Sequence, residues 1–154
     1  MFYRRLIMFF AVAAIWLIPI RIYAQMVCRV SLLPVTFGTY LPWDLAPLDV
    51  AGSVDVSCRG QPGTFQVTIS TGSSATYLSR EMVFGTFLMR YNIFADSART
   101  LVWGDGTGGS VVNAGTKPRP GRQDFSFPAY GRVIPQQNVS AGTYVDDVVV
   151  TVMF

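Results

Sequence analysis

Histidine is absent from this chain of 154 residues, and cysteine occurs only twice. Without histidine, a Ser-His-Asp triad is impossible and the commonest general acid or base is missing. A zinc site is disfavoured for the same reason, because the chain offers no histidine and no second pair of cysteines. The composition therefore predicts a protein with no catalytic residue, no bound metal and no cofactor.

Carboxylate pairs remain one route to catalysis, since glycosidases work with two acidic side chains. Most of the acidic residues lie in or beside turns, where aspartate is favoured for hydrogen bonds to the local backbone. They are Asp44, Asp49, Asp55, Glu81, Asp96, Asp105, Asp124, Asp146 and Asp147. No convergent pair can be identified among them, so a small secreted glycan-active enzyme is the least favoured alternative.

Charge is missing from the segment between Leu6 and Ile20, which follows Arg4 and Arg5. A basic start, an apolar run and the small residue Ala24 are typical of a secretory signal peptide. We predict a signal peptide over residues 1–24, cleaved between Ala24 and Gln25, and one domain over residues 25–154. A single transmembrane anchor is the alternative, because the apolar run approaches the length that spans a bilayer.

Net charge is also lacking once the leader is removed. The formal charge of +3 belongs to the whole chain. Arg4, Arg5 and Arg21 leave with the leader, so residues 25–154 carry nine basic and nine acidic residues. Nucleic-acid binding requires a clustered positive surface, and a neutral domain gives no support to it. We expect no nucleic acid among the partners.

The two cysteines, Cys28 and Cys58, both lie in the predicted domain. An even number of cysteines in an exported protein indicates a disulfide. Closing a loop of about thirty residues contributes about 3–4 kcal/mol to stability.

Short alternating apolar runs, broken by glycine, proline, asparagine and aspartate about every ten residues, predict an all-β sandwich or barrel. The predicted strands are 28–33, 36–40, 52–58, 64–70, 81–84, 88–95, 102–103, 110–112, 124–134 and 143–154. The hydrophilic stretch from Gly115 to Arg122 is interpreted as an exposed loop.

The last predicted strand is apolar on both faces. Val148, Val150, Val152 and Phe154 share one face, and Val145, Val149 and Met153 share the other. An open edge on such a strand offers unpaired N–H and C=O groups to other strands. We therefore expect this strand to lie in the interior of a sheet or to be covered.

Two further features have simpler interpretations than ligand binding. The glycine-rich segment Asp105–Gly109 lacks the lysine and helix of a phosphate loop and the spaced ligands of a calcium loop, so it predicts a tight turn. Exposed aromatic residues would suit a sugar-binding platform, although most belong in a core. The candidates are Tyr40, Trp43, Tyr77, Tyr91, Phe94, Trp103 and Tyr130.

Several segments in order resemble the spore coat protein U domain, the fold of subunits of archaic chaperone–usher pili. They are Cys28, Val35–Tyr40, Gly52–Cys58, Ser79–Met82, Leu88–Phe94, Asp96–Thr100, Trp103–Thr107, Tyr130–Pro135, Ala141–Asp147 and the terminal valine-rich strand. Together they cover nearly all of the predicted domain.

The resemblance implies an incomplete immunoglobulin-like β-sandwich, completed by a donor strand from another chain. Expected partners are a periplasmic chaperone, an outer-membrane usher, other pilin subunits, and a surface or glycan ligand. Export through the periplasm to a surface fimbrium, with a role in adhesion and biofilm formation, follows from the same resemblance. Val148, Val150, Val152 and Phe154 are then expected to line the groove that accepts the strand. A secreted carbohydrate-binding adhesin is the alternative.

The predicted mature N-terminus departs from the pattern of a polymerising subunit. After cleavage at Ala24, only Gln25, Met26 and Val27 precede Cys28. Three residues span about 10 Å, which is too short for a typical strand. On this reasoning the chain is expected to accept a strand rather than to donate one. Of the two roles that the resemblance offers in a fibre assembled by donor-strand exchange, structural subunit or tip subunit, this favours a tip or otherwise specialised minor subunit.

Overall fold

The structure is a computed structural model that describes residues 25–154. These residues form eight β-strands: β1 Val27–Leu33, β2 Leu48–Arg59, β3 Gly63–Ile69, β4 Arg80–Phe84, β5 Phe87–Phe94, β6 Asn113–Lys117, β7 Gln123–Val133 and β8 Val150–Met153. Within this part of the chain, the structure holds no helix with the length and apolarity that a membrane crossing requires. The predicted leader and Ala24 lie outside the described residues.

The strands form two antiparallel sheets. The first has the order β1-β2-β7-β5-β4, and the second has the order β6-β3-β8. The longest pairing joins β2 to β7 over the whole length from Leu48–Val133 to Cys58–Gln123. In the second sheet, β3 is central and pairs with β6 on one side and β8 on the other. This arrangement confirms the predicted all-β sandwich.

The core lies between the two sheets and follows from the two-residue period of a strand. On β2 the residues Val54, Val56 and Cys58 are buried and alternate with half-buried polar residues. On β3 the buried side chains include Phe65 and Val67. The indole of Trp103 fills the centre of the sandwich, and its Nε1 donates a hydrogen bond of 2.9 Å to the Val67 carbonyl oxygen.

Six predicted strands are confirmed to within four residues at either end, namely β1, β2, β3, β4, β5 and β7. The predicted strand over residues 36–40 is wrong, since these residues pair with no strand of the described chain. Residues 102–103 and 110–112 form isolated bridges instead of strands, between Phe94 and Val102 and between Trp103 and Val111.

The end of the chain also differs from the prediction. Only Val150–Met153 of the segment 143–154 forms a strand, and this strand lies at an edge of the second sheet. Of the two expectations for this strand, the interior position is therefore wrong, and cover by another polypeptide stays a prediction.

The loop predicted over residues 115–122 is wrong in part, because its first residues belong to β6. Lys117, at the end of β6, is 1% exposed. Its aliphatic stem can be buried because its ammonium group still finds hydrogen-bond acceptors.

Candidate strand-binding cleft

An apolar cleft of about 1070 Å³ opens between the free edges of β1 and β8. One wall consists of the end of β1 and residues 34–43, and the other consists of residues 139–148 and Val150. Core side chains form its floor: Val54, Ile69, Met82, Met89, Tyr91, Ile93, Trp103, Ala129 and Val133. The interior of the sandwich is therefore open to solvent along one side.

The first wall is an extended segment held by side chains instead of strand pairing. Val35 and Phe37 are half-buried, and the Phe37 ring packs edge-on against Tyr91 with ring centroids 5.7 Å apart. The wall approaches β7 closely at Gly131, where an added Cβ would lie 2.4 Å from a methyl carbon of Val35. Glycine at this position thus permits Val35 to reach the cleft.

The second wall is attached to both sheets. Val145 forms a bridge with Val83 of β4. The Val83 amide donates to the Val145 carbonyl oxygen at 2.8 Å, and the Val145 amide donates to the Val83 carbonyl oxygen at 3.2 Å. Ser70, just after β3, donates from its amide to the Val149 carbonyl oxygen over 2.9 Å. The Val149 amide donates to the Ser70 hydroxyl oxygen over 3.0 Å. The wall therefore bridges the two sheets below the cleft opening.

Asp146 fixes this wall to the floor of the cleft. Its carboxylate accepts hydrogen bonds from the Ser73 amide at 2.7 Å and from the Tyr91 hydroxyl at 2.6 Å. Burial raises the pKa of Tyr91 well above its ordinary value, and the hydrogen bond to Asp146 raises it further. The hydroxyl therefore remains protonated and keeps donating to Asp146 throughout the physiological pH range.

A buried cation stabilises the loop beneath the wall. Arg80 is fully buried, and its guanidinium donates to the carbonyl oxygens of Ser70 and Trp103, each over 2.8 Å at the shortest. It also donates to the Asn92 side-chain oxygen over 2.7 Å. Desolvation lowers the pKa of Arg80 from its ordinary value. These bonds connect β4, β5 and the loop after β3 into one rigid unit.

The predicted disulfide is present. Cys28 and Cys58 are bonded to each other and face one another across β1 and β2, with their Cα atoms 4.0 Å apart. The bond anchors β1, the edge strand on one side of the cleft, to its neighbour β2.

The four residues predicted to line the acceptor groove occupy three different environments. Val148 and Val150 line the cleft. Val152 is half-buried and packs against the core below it. Phe154 is 65% exposed and lies with Met153 at a separate hollow of about 400 Å³ beside β6. Gln25, beside the predicted cleavage point, is exposed.

Several cleft residues escaped the sequence analysis. Phe37 lies in the strand predicted over residues 36–40, and Val35 lies just before it. Tyr91 and Trp103 lie in predicted strands and among the aromatic candidates for sugar binding, but they were not predicted to line a cleft. The alternation of Val35 and Phe37 with polar residues was the available signal. The apolar side chains of this segment face a cleft, and its backbone has no neighbouring strand. The pattern alone does not distinguish this arrangement from a paired strand.

The other chemical candidates are engaged in local structure. The carboxylate of Asp105 accepts hydrogen bonds from the amide and the hydroxyl of Thr107, which matches the predicted tight turn. Asp49 accepts two hydrogen bonds from Arg132, at 2.7 and 2.8 Å, and this interaction lowers the pKa of Asp49. Residues 25–154 contain no group of three or more potential metal ligands.

Among the aromatic candidates for sugar binding, Trp43 is the most exposed, at 72%, and it lies at the rim of the cleft. Tyr40 donates to the Ile134 carbonyl oxygen and accepts from the Gln137 amide, so its hydroxyl is used within the fold.

A family model described as the Spore Coat Protein U domain matches residues 16–151, beginning within the predicted leader. No curated protein matches the chain.

Fourteen chains of solved structures match. One belongs to the crystal structure of the CsuC–CsuE chaperone–tip adhesion subunit pre-assembly complex from archaic chaperone–usher Csu pili of Acinetobacter baumannii. The sequence identity is 25% and the TM-score is 0.57. The match covers 84% of this chain and 40% of that chain, so this chain spans less than half the length of its structural relative.

Proposed function

Because the chain belongs to the spore coat protein U domain family, we propose that it is a subunit of a chaperone–usher surface pilus. Its cleft accepts a β-strand from another polypeptide, and it performs no catalysis. The observation that carries this proposal is the opening of the core between two free strand edges, β1 and β8.

The free edge of β8 supplies the backbone part of such binding. An edge strand presents unpaired N–H and C=O groups, and a strand added beside it forms a new ladder of hydrogen bonds. Every second side chain of the added strand would point towards the buried floor around Trp103 and Val133. Each apolar side chain buried in this way contributes about 1.5–3 kcal/mol.

Val148, Val150, Val152 and Phe154 are proposed as the acceptor face of the chain. The positions of Val148 and Val150 in the cleft support this role directly. Val152 supports it indirectly by packing against the core, and Phe154 would contact only the end of an inserted strand.

The proposed partners follow from the similarity to a chaperone–subunit complex. A periplasmic chaperone would fill the cleft before assembly, an outer-membrane usher would receive the filled subunit, and another pilin subunit would replace the chaperone strand. The leader of residues 1–24 would direct export and be removed between Ala24 and Gln25. The assembled fibre would lie on the cell surface and support adhesion and biofilm formation.

The proposal is tested by co-expressing the full chain with a candidate periplasmic chaperone and measuring their co-purification. Val150→Asp places a charge inside the cleft, where burial without a partner is costly, and is expected to abolish capture. Val149→Asp is the matched control, because Val149 is adjacent, 63% exposed and outside the cleft. It should leave capture unchanged.

Two results would contradict the proposal. The first is equal capture of both variants, which would locate the chaperone contact elsewhere. The second is a chain that folds without any partner into a monomer that a strand peptide does not stabilise further, because such a chain would have no missing strand.

A further inference from the structure

Charge is unevenly distributed over the sandwich. Residues 25–154 contain nine basic and nine acidic residues. Five of the basic residues and one acidic residue, Asp124, lie at the end formed by the β2–β3 and β6–β7 turns and the start of β1. We call this region the basic end, and its basic residues are Arg29, Arg59, Lys117, Arg119 and Arg122.

Most of the arginine side chains at the basic end project from the same face of the first sheet. Arg29 is the Cα partner of Ser57, and Ser57 is the Cα partner of Asp124. Arg59 lies two residues after Ser57, and Arg122 lies two residues before Asp124. Because side chains alternate between the faces of a strand, Arg29, Arg59 and Arg122 all project from the outer face of the first sheet. The side chain of Arg122 is 57% exposed and pairs with Asp124 at 3.0 Å. The pKa of Asp124 is lowered by hydrogen bonds from Ser57 and Arg122 and by the charge of Arg59.

Hydrogen bonds join the β2–β3 turn to the β6–β7 turn, the two turns that carry most of these arginines. The Lys117 ammonium group donates to the carbonyl oxygens of Gly60 and Gln61, at 2.8 and 3.4 Å, and to that of Arg119. The Gly121 amide also donates to the Gly60 carbonyl oxygen, at 3.1 Å. The arginines are therefore presented on a preformed surface.

The positive charge of the basic end is largely uncompensated. Among residues 25–154, no carboxylate lies within 4.0 Å of the charged groups of Arg29, Arg59, Lys117 or Arg119. Lys117 is buried, and its partners are neutral carbonyl groups. Its charge therefore adds to the positive potential beneath the exposed arginines.

We propose that the basic end is a binding surface for an anionic polysaccharide bearing sulfate or carboxylate groups. The guanidinium group forms paired hydrogen bonds with such groups, and several arginines on one rigid surface suit a ligand with repeated charges. The turns Arg59–Gly63 and Lys117–Arg122 contain no aromatic, branched aliphatic or acidic residue. The start of β1 adds one exposed branched aliphatic side chain, that of Val27. Protein interfaces, by contrast, rely on apolar and aromatic anchors at their centre. The surface is separate from the cleft and does not depend on strand exchange.

Binding is tested with the full chain, dextran sulfate and neutral dextran of the same length. Dextran sulfate should bind and dextran should not, and the affinity should fall steeply as salt is raised. The triple variant Arg59→Gln, Arg119→Gln, Arg122→Gln should bind at least tenfold more weakly. Its salt dependence, as the slope of log affinity against log salt, should be smaller by about 3.

Arg90→Gln is the matched control for Arg119→Gln. Both substitutions remove one exposed positive charge, but Arg90 lies on β5, away from the basic end, where its side chain is 65% exposed. If Arg90→Gln weakens binding as much as Arg119→Gln, only net charge matters and the proposal fails. It also fails if dextran sulfate does not bind, or if the triple variant changes self-association of the chain while leaving dextran sulfate binding intact.

Discussion

Asp146 shows how one side chain can hold a binding cleft open. It joins the wall of the cleft to Ser73 beyond β3 and to Tyr91 on the floor. These bonds keep the wall in place although the strand that would support it is not part of the described chain. A charged acceptor is suited to this role, because hydrogen bonds to a carboxylate are stronger than those to a neutral group.

Gly72 makes this arrangement possible and provides a prediction at the residue scale. Its φ is +68°, and an added Cβ would lie 2.1 Å from a carboxylate oxygen of Asp146. Gly38 has a similar φ of +75° with nothing within 4 Å of an added Cβ. Gly38→Ala should cost about 1–2 kcal/mol from backbone strain. Gly72→Ala should cost a further 1–3 kcal/mol, because Asp146 must move.

Urea unfolding of the two variants and the unmodified chain measures this difference in the free energy of unfolding. Equal losses for Gly72→Ala and Gly38→Ala would show that the contact with Asp146 adds nothing beyond the positive φ.

The sequence predicted the disulfide but did not predict the burial of two basic side chains. The disulfide followed from two cysteines in an exported chain. The burial of Arg80 and Lys117 did not, since their acceptors are mainly backbone carbonyl oxygens from distant turns. A carbonyl oxygen is present at every position of a chain and leaves no sequence signal.

At the scale of elements, segments that pair with another strand along their length were predicted best. β3 alternates cleanly at Phe65, Val67 and Ile69, and it is the central strand of its sheet. Residues 36–40 and 143–148 carry similar apolar alternation, but they belong to the walls of the cleft. Apolar alternation indicates that one face of a segment is buried. It does not indicate whether the backbone of that segment pairs with a neighbouring strand.

The disulfide between Cys28 and Cys58 provides a prediction at this scale. It ties the edge strand β1 to β2, so its removal should lower stability and also loosen one side of the cleft. The double variant Cys28→Ser, Cys58→Ser should lose about 3–4 kcal/mol of unfolding free energy. It should also be captured less by a strand-donating partner than the unmodified chain is.

Urea unfolding with and without reductant separates the two contributions. Reductant should destabilise the unmodified chain and leave the double variant unchanged. A double variant as stable as the oxidised chain would show that β1 is held by its pairing with β2 alone.

At the scale of the whole molecule, the family resemblance identified in the sequence is confirmed by the match over residues 16–151. The structure adds the opening in the sandwich, which depends on how two sheets are placed and not on any one segment. The asymmetric distribution of charge is a feature of the same kind. The nine bases and nine acids of residues 25–154 predicted no charged surface, because only the fold brings Arg29, Arg59 and Arg122 to one end.

The open core leads to a last prediction. A cleft of about 1070 Å³ with buried apolar residues on its floor should bind an apolar fluorescent dye when the chain has no partner. A bound strand should displace the dye, because both occupy the same surface. Since the strand binds only the folded chain, at 100 times its Kd it should raise the unfolding free energy by about 2.7 kcal/mol. Dye fluorescence and thermal unfolding, measured during one titration with a strand peptide, should therefore change together. If the peptide stabilises the chain without displacing the dye, the strand binds outside the cleft and the open core has another role.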